Sequence, residues 1–297
     1  MGYDVSRETD EFVRKWGVPT VSSRAPDERL EQYRDVVPEL LLTFWREFGF
    51  AGFGNGLFWL CDPVAWQPAV DTWTAGLNLA MGDDSWLAVS RSAFGRMQLW
   101  GQRTGMSLTI TPYSGWVRPN DRSHRMSTSV RRNGQIYAAL FAPDTTSLDV
   151  IGDDDQPLFG RVLARQGPVG PDTMYGFVPA LAVGGSLLPD RVEIFDADVH
   201  MQLLSELTPR QILTDVTQAP RWRPVRLDQT GLSGVTARLL TNDPTDDAGW
   251  PADLPSGTTE VVIVDDTPGP LLTVRVHPVG SPSAGVYVRF DQLAVRD

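Results

Sequence analysis

Between residues 26 and 48, apolar side chains recur at spacings of three and four, and this periodicity strongly constrains how the chain folds. The recurring residues are Leu30, Tyr33, Val37, Leu40, Leu41, Phe44, Trp45 and Phe48. Pro38 suits the first turn of a helix, where no N–H is needed, and Gly49 suits a left-handed helix exit. The pattern therefore predicts a pair of amphipathic helices, the second of which ends at Gly49.

Short β-prone runs replace the helical spacing from Trp86 to Val117. Turn residues separate these runs at Phe94-Gly95, at residues 101–105 and at residues 112–114. Short strands joined by short turns favour an antiparallel meander, which offers the apolar helix faces a surface to cover. Residues 1–126 are therefore predicted to form one α+β domain, in which a meander packs on the earlier helices.

Residues 127–214 mix helical and strand patterns again. Asp155 is predicted to cap a helix that Pro157 opens and that ends at Gly167. A strand over residues 191–195 and a helix over residues 197–207 follow. This segment is predicted to be a second, smaller α+β domain.

From residue 215 to residue 297 the sequence alternates short strands with loops rich in Pro, Gly, Asp and Thr. The predicted strands cover residues 222–227, 234–241, 259–265, 271–276 and 286–290. Several short strands at this spacing favour a small all-β barrel or sandwich. The predicted fold class is therefore α+β, with two mixed α/antiparallel-β domains followed by a small all-β module.

Residues 172–185 combine an apolar run with a Gly-Gly exit and contain no group suited to catalysis. Such groups are scarce in all 297 residues, which include three histidines, one cysteine and a single lysine, Lys15. The lone Cys61 excludes an internal disulfide. The sequence therefore predicts a binding protein and not an enzyme, with no catalytic residues, no cofactor and no metal.

The charge of the chain narrows the class of its partner. The formal net charge is −11 at pH 7, and none of the three predicted domains is basic. Nucleic-acid-binding proteins rely on Lys and Arg contacts to phosphates, so no direct nucleic-acid binding is expected. If the acidic charge serves binding, the partner should be basic. The alternative is that the acidic charge only keeps the protein soluble.

The location of the chain is also an expectation from its sequence. Residues 1–11 are polar and acidic, where a signal peptide would need an apolar stretch. No segment approaches the roughly 20 uninterrupted apolar residues of a membrane-spanning helix. A cytoplasmic protein without membrane contact is expected.

Six residues are predicted to bind the partner: Asp83, Asp84, Trp116, Asp153, Asp154 and Asp155. The run from Asp153 to Asp155 is the densest acidic cluster and is interpreted as a mimic of the phosphates that a basic partner binds, facing Arg and Lys of that partner. Asp83-Asp84 is interpreted in the same way, and Trp116 is a candidate aromatic anchor. A solvated loop is the alternative for either acidic cluster, because negative charge is favoured at a helix start.

Two other motifs have simpler structural explanations. Residues 52–56 are glycine-rich, but they follow a helix and precede a strand, which is the reverse of a phosphate-binding loop, so a tight turn is predicted. Asp196, Asp198 and His200 carry metal-ligating groups, yet only Asp196 and His200 share a helix face. A capping Asp196 with a structurally bonded histidine is the favoured interpretation, and a divalent metal site is the alternative.

Residues spread over two regions match two known domain families. The first set is Phe12 to Gly17, Tyr33, Pro38 to Leu41, Phe44, Trp45, Gly49, Gly56, Leu57, Asp62, Pro63 and Ser92 to Gly95. This set resembles the GAD-like domain. The second set is Met174 to Leu181, Gly184, Gly185 and His200. It resembles the C-terminal domain of immunity proteins that guard bacteria against type VI secreted DNase toxins.

The resemblance covers residues from about 8 to about 210 and implies a non-enzymatic antidote used in bacterial competition. Such a protein binds its cognate toxin, which would be basic and nuclease-like, and occludes the active or substrate-binding site. The β module after Asp215 lies outside the resemblance. An immunity protein that inhibits a cognate antibacterial toxin is therefore the predicted function, and a non-catalytic regulatory or scaffolding interaction module is the alternative.

Overall fold

The computed structural model describes residues 5–213, 222–225, 231–241, 244–245, 251–256, 258–265, 273–281 and 285–296. The chain divides into two compact units, Met1–Gln218 and Ala219–Asp297. The separate domains predicted over residues 1–126 and 127–214 stay a prediction, because both segments belong to the first unit. No helix in the described residues is long and apolar enough to span a bilayer.

Ten strands build two sheets in the first unit. They are β1 (Val21–Ser23), β2 (Phe50–Phe53), β3 (Phe58–Leu60), β4 (Trp86–Ser92), β5 (Met97–Gly101), β6 (Gly105–Thr111), β7 (Trp116–Pro119), β8 (Thr173–Phe177), β9 (Val192–Asp196) and β10 (Gln211–Ile212). Eight of them form one sheet in the order β1-β2-β3-β4-β5-β6-β7-β10, antiparallel except for the parallel pair of β7 and β10. The predicted meander is thereby confirmed, and its chain order follows from short turns that join neighbouring strands.

Eight α-helices accompany these sheets in the described residues. They are α1 (Val5–Trp16), α2 (Asp27–Gln32), α3 (Glu39–Phe48), α4 (Gln67–Thr74), α5 (Ser129–Phe141), α6 (Thr145–Leu148), α7 (Phe159–Gln166) and α8 (Ala197–Leu207). The predicted helix pair corresponds to α2 and α3. Gly49 ends α3 with φ 67°, and a Cβ there would lie 2.2 Å from the Ser23 carbonyl oxygen. Only glycine meets both demands.

The large sheet has a hydrophobic cluster on each side. One cluster is rich in aromatic residues, including Phe12, Phe44, Phe58 and Trp100. The other contains Trp73 of α4, Val117 of β7 and residues Met201 and Leu204 of α8. The six tryptophans predicted to be core residues, at 45, 59, 66, 73, 86 and 100, are all buried, which confirms that prediction. The fold of this unit is α+β.

Strands β8 and β9 form a separate antiparallel pair, so the apolar run near residue 172 begins as a buried strand. The helix predicted to follow Asp155 begins later, because α7 starts at Phe159 and not at Pro157. Asp149 supplies the side-chain acceptor for its first turn, at 2.8 Å from the Phe159 amide. Asp155 has a left-handed backbone with φ 59° and therefore belongs to the preceding turn, which corrects its predicted capping role.

The second unit is all-β in its described residues, as predicted. Six strands form one antiparallel sheet: β11 (Trp222–Pro224), β12 (Thr236–Leu239), β13 (Glu260–Asp265), β14 (Thr273–Pro278), β15 (Val286–Arg289) and β16 (Leu293–Arg296). Five strands were expected, and the sixth is β16, which lies between β11 and β12. Its apolar run is too short to stand out by periodicity. The choice between a barrel and a sandwich stays a prediction.

Candidate functional site

Arg91 on β4 is the most deeply buried charged side chain in the described residues, with 1% of its surface exposed. It lies directly opposite Trp59 in the register of β3 and β4. Its guanidinium carbon is 4.8 Å from the ring centroid of Trp59 and 4.7 Å from that of Trp66. Burial lowers the pKa of Arg91 to about 10, so it stays protonated at neutral pH, and the contacts with two indole rings stabilise that charge.

The hydrogen bonds of Arg91 reach a loop about eighty residues further along the chain. Its Nη2 donates to the carbonyl oxygens of Gly170 at 2.6 Å and Thr173 at 3.0 Å, and Nη1 donates to that of Ser92 at 3.2 Å. Within the described residues, Nε is buried without a hydrogen-bond acceptor. Arg91 therefore fastens the loop before β8 to the large sheet.

A cavity of about 300 Å³ opens beside Arg91. Its lining includes the indole rings of Trp59 and Trp66 and four carboxylates, Asp62, Asp172, Asp196 and Asp198. Asp62 forms an ion pair with Arg29, and Asp198 accepts a hydrogen bond of 3.0 Å from Gln202. These contacts explain much of the carboxylate cluster as local structure.

Cys61 and His200 are a candidate nucleophile and a candidate base, and each lies within two residues of a residue that lines this cavity. Both side chains are buried, and burial favours the uncharged form of each. Burial raises the pKa of the Cys61 thiol to about 12, so a reactive thiolate does not form at neutral pH. Burial also lowers the pKa of His200, whose ring stacks on Phe195 with centroids 4.5 Å apart. A Cβ on Gly176 would lie 2.2 Å from His200 Nε2, so the glycine makes room for the imidazole.

Asp196 has the capping role that its position before a helix predicted. Its Oδ1 accepts a hydrogen bond of 3.0 Å from the Val199 amide. Among the residues that the structure describes, no three or more His, Cys, Asp and Glu side chains are arranged to hold a metal ion.

The six predicted partner-binding residues lie in three separate places: Asp83 and Asp84 in the loop before β4, Trp116 on β7, and Asp153 to Asp155 in the loop before α7. Asp84 is occupied by local structure. Its carboxylate accepts hydrogen bonds from the backbone amides of Ser85 at 2.8 Å, Arg103 at 3.1 Å and Thr104 at 2.8 Å. Asp83 is exposed beside it.

In the acidic cluster before α7, two side chains likewise form local contacts and the third is exposed. Asp153 accepts a hydrogen bond of 2.9 Å from the Leu187 amide, and Asp154 forms an ion pair of 2.7 Å with Arg161. That pair lowers the pKa of Asp154. Asp155 is exposed, and no hydrogen bond or ion pair of its side chain is seen in the described residues.

Trp116 and helix α8 lie on different sides of the large sheet. Trp116 is 45% exposed, whereas its neighbour Val117 is fully buried in the cluster that contains Met201 and Leu204 of α8. Because successive residues of a strand point to opposite faces, Trp116 points away from α8. Its exposure leaves it accessible to a partner.

Helix α8 carries an exposed feature that the sequence analysis missed. Leu204 is buried, but Val199, Leu203 and Leu207 are 66%, 45% and 36% exposed. The sequence predicts a helix over residues 197–207 without separating the two faces on which its apolar residues fall. Their spacing of four residues from 199 to 207 is the signal that separates them.

Family comparisons divide the chain into three matched regions. Residues 7–114 match the GAD-like domain, and residues 138–208 match the C-terminal domain of the T6SS immunity protein Tdi1. Residues 224–295 match a family of unknown function, DUF7161. Arg91 lies in the first region and its acceptors Gly170 and Thr173 in the second, so its hydrogen bonds connect the two matched domains.

No curated protein matches the chain. Among solved structures, the crystal structure of Atu4351 from Agrobacterium tumefaciens is similar, with a TM-score of 0.61 and 20% sequence identity. The similarity covers 73% of this chain and 94% of that chain, and at this identity it shows a shared fold. Residues 7–114 are therefore similar to a GAD-like domain and residues 138–208 to the C-terminal domain of the T6SS immunity protein Tdi1, the two families that the sequence resembles.

Proposed function

We propose that this chain is a cytoplasmic immunity protein that binds a cognate antibacterial toxin and occludes its active or substrate-binding site. The observation that carries the proposal is the match of residues 138–208 to the C-terminal domain of a T6SS immunity protein, directly after a GAD-like domain. Binding without catalysis agrees with the burial of Cys61 and His200, and with a Cys61 pKa raised to about 12, which leaves no thiolate at neutral pH.

The chemistry of the toxin is the next part of the proposal. A nuclease needs a basic surface to hold nucleic-acid phosphates, and this chain has a net charge of −11. Opposite charges speed the encounter of two proteins and favour the correct partner. We therefore assign a basic, nuclease-like toxin, with a DNase as the preferred class.

The exposed members of the predicted site fit this role best. Asp83 and Asp155 extend into solvent, so they can approach Lys and Arg of a toxin without first breaking an internal hydrogen bond. Trp116 offers an exposed aromatic surface. Asp84, Asp153 and Asp154 hold local structure, so we assign them a positioning role in the same acidic loops.

Co-expression tests the proposed function. Candidate type VI nuclease toxin domains are expressed one at a time in a bacterium with and without this protein, and colony survival and chromosomal DNA integrity are measured. Survival should be restored only by the intact protein, and a catalytically inactivated toxin domain should bind it in calorimetry. Continued killing together with absent binding would reject the immunity role and leave a regulatory or scaffolding module as the explanation.

A further inference from the structure

Helix α8 has two apolar faces, and only one of them is buried by the fold. Ala197, Met201 and Leu204 are buried in the hydrophobic cluster on one side of the large sheet, and His200 is buried against Phe195 of β9. Val199, Leu203 and Leu207 form the α8 ridge, one row of side chains spaced by four residues on the solvent side. A row spaced by four lies along one line of a helix, so the three side chains present a continuous apolar strip to solvent.

Acidic and polar groups border the α8 ridge. Asp198, Gln202 and Glu206 are the other well-exposed side chains of the helix, and α8 contains no lysine or arginine. An apolar centre with a charged rim is the common composition of a protein–protein interface. Within α8 the exposed charges have one sign, which favours a partner with the opposite sign.

The helix is also held rigidly in place, which reduces the entropy lost on binding. Asp196 caps its first turn through the Val199 amide. The indole Nε1 of Trp73 donates to the Met201 carbonyl oxygen at 3.0 Å in the middle of the helix. A preorganised surface binds more tightly than one that must be ordered first.

We propose that the α8 ridge is the contact surface for the toxin, and that its occupant is an apolar patch of the toxin bordered by Lys and Arg. This inference rests on the proposed function. It adds a site in the matched immunity domain that lies apart from Trp116 and from the acidic loops.

A second copy of this chain fits the ridge poorly. Antiparallel packing of two α8 helices around Leu203 would bring Asp198 of one copy close to Glu206 of the other. Like charges placed opposite each other across an interface are unfavourable, whereas a basic partner converts the same residues into favourable contacts.

Charge insertion into the ridge tests this inference. Leu203→Asp places a carboxylate at the centre of the ridge, and Val183→Asp is the matched control, because Val183 is a 55% exposed apolar residue of the same matched domain. Substitutions at exposed positions such as these change stability by about 0.5 kcal/mol or less, and thermal melting verifies that both variants fold. The probe is the catalytically inactivated form of the toxin domain against which this protein protects in the co-expression test.

We expect Leu203→Asp to raise the Kd for that toxin domain about tenfold or more, as loss of a central apolar anchor does, while Val183→Asp leaves it unchanged. Hydrogen exchange should slow in residues 197–207 on binding. Equal binding by both variants with no protection of α8 would overturn the inference while leaving the immunity role intact. If the unmodified protein fails to bind or protect, the proposed function itself is rejected, and the inference with it.

Sedimentation of the protein alone tests whether a second copy of this chain occupies the α8 ridge. We expect a monomer for the unmodified chain and for Leu203→Asp. A dimer that Leu203→Asp converts to a monomer would assign the ridge to self-association and overturn its role as the toxin contact.

Discussion

At the scale of single residues, Arg91 shows how a buried charge joins distant parts of a chain. A guanidinium that is 1% exposed loses nearly all of its hydration. Two indole rings and carbonyl oxygens from residues 92, 170 and 173 replace the lost water contacts. The remaining buried Nε shows that this replacement is incomplete. Arg91 therefore fixes the position of the loop before β8 on the large sheet.

Replacing Arg91 by methionine should destabilise the first unit by about 2–4 kcal/mol, because the carbonyls of Gly170 and Thr173 lose their donor while remaining in place. Urea unfolding followed by tryptophan fluorescence measures the change. Arg91→Lys serves as the control that keeps the charge, and it should recover only part of the loss because lysine has no planar fork. A methionine variant as stable as the unmodified protein would show that the loop is held by other contacts.

Cys61 makes a prediction about alkaline pH. Its folded-state pKa is raised to about 12 from an ordinary value of 9.0, so the folded protein favours the protonated thiol. This contribution is fully present below pH 9 and decreases as the pH rises towards 12, because the unfolded thiol ionises first. Between about pH 8.5 and about pH 10 the thiol of the unfolded chain begins to ionise. Over this range the free energy of unfolding of the unmodified protein should therefore fall more steeply than that of Cys61→Ala.

Burial also raises the pKa of tyrosines such as Tyr175, which therefore contribute to the same pH dependence. The comparison with Cys61→Ala separates the contribution of the thiol from theirs. Both proteins are unfolded with urea at each pH. Identical pH slopes for the two proteins would contradict the protonated state of Cys61 in the fold. Slow labelling of the folded thiol by iodoacetamide would support it independently.

At the scale of elements, the loop before β4 shows that an acidic pair can be divided between structure and surface. Asp84 accepts hydrogen bonds from three backbone amides, two of which, Arg103 and Thr104, belong to the turn between β5 and β6. Asp83 is exposed and contributes only its carbonyl oxygen, which accepts a bond of 2.9 Å from Arg103 Nη2. The two residues share charge and neighbourhood but not function.

Asp84→Ala should lower the free energy of unfolding by about 1–3 kcal/mol, because it leaves turn amides without their acceptor. Asp83→Ala is the matched control and should change it by about 0.5 kcal/mol or less. Chemical denaturation of both variants measures the difference. Equal effects at the two positions would contradict the structural role of Asp84.

Helix α8 illustrates a second limit at this scale. The spacing of its apolar residues predicts a helix over 197–207, and the structure confirms it. The same spacing does not reveal that the sheet covers only the side with Met201 and Leu204. Two apolar faces on one short helix are compatible with a helix buried on all sides or with a binding surface. Packing against the sheet decides between them.

At the scale of the whole molecule, net charge supplies a property that no single contact provides. The field of a chain with net charge −11 extends over about 10 Å at 0.1 M salt and accelerates encounter with a basic partner. Such steering acts on the association rate more than on the dissociation rate. The acidic loops add to this field wherever they face the approaching toxin.

Asp155→Asn should lower the association rate constant for the toxin domain about two- to threefold at low salt and leave the dissociation rate unchanged. Stopped-flow mixing measures both rates at low and at high ionic strength. Asp35→Asn, at an exposed position of the same unit outside the predicted partner-binding residues, is a charge-matched control and should have a smaller effect. An association rate at low salt that Asp155→Asn does not alter would remove this loop from the steering role.

The sequence alone determined the class of elements and predicted the chemistry of the partner. Helical spacing, short β runs and buried tryptophans are local patterns, so they predicted α3, the meander and most of the core. Composition likewise indicated a binding protein with a basic partner. Only the tertiary structure showed the contacts of Arg91 and Asp84 and the exposure of the α8 ridge. Their hydrogen bonds and exposure depend on segments that are distant along the chain, and periodicity within one segment carries no information about what packs against it.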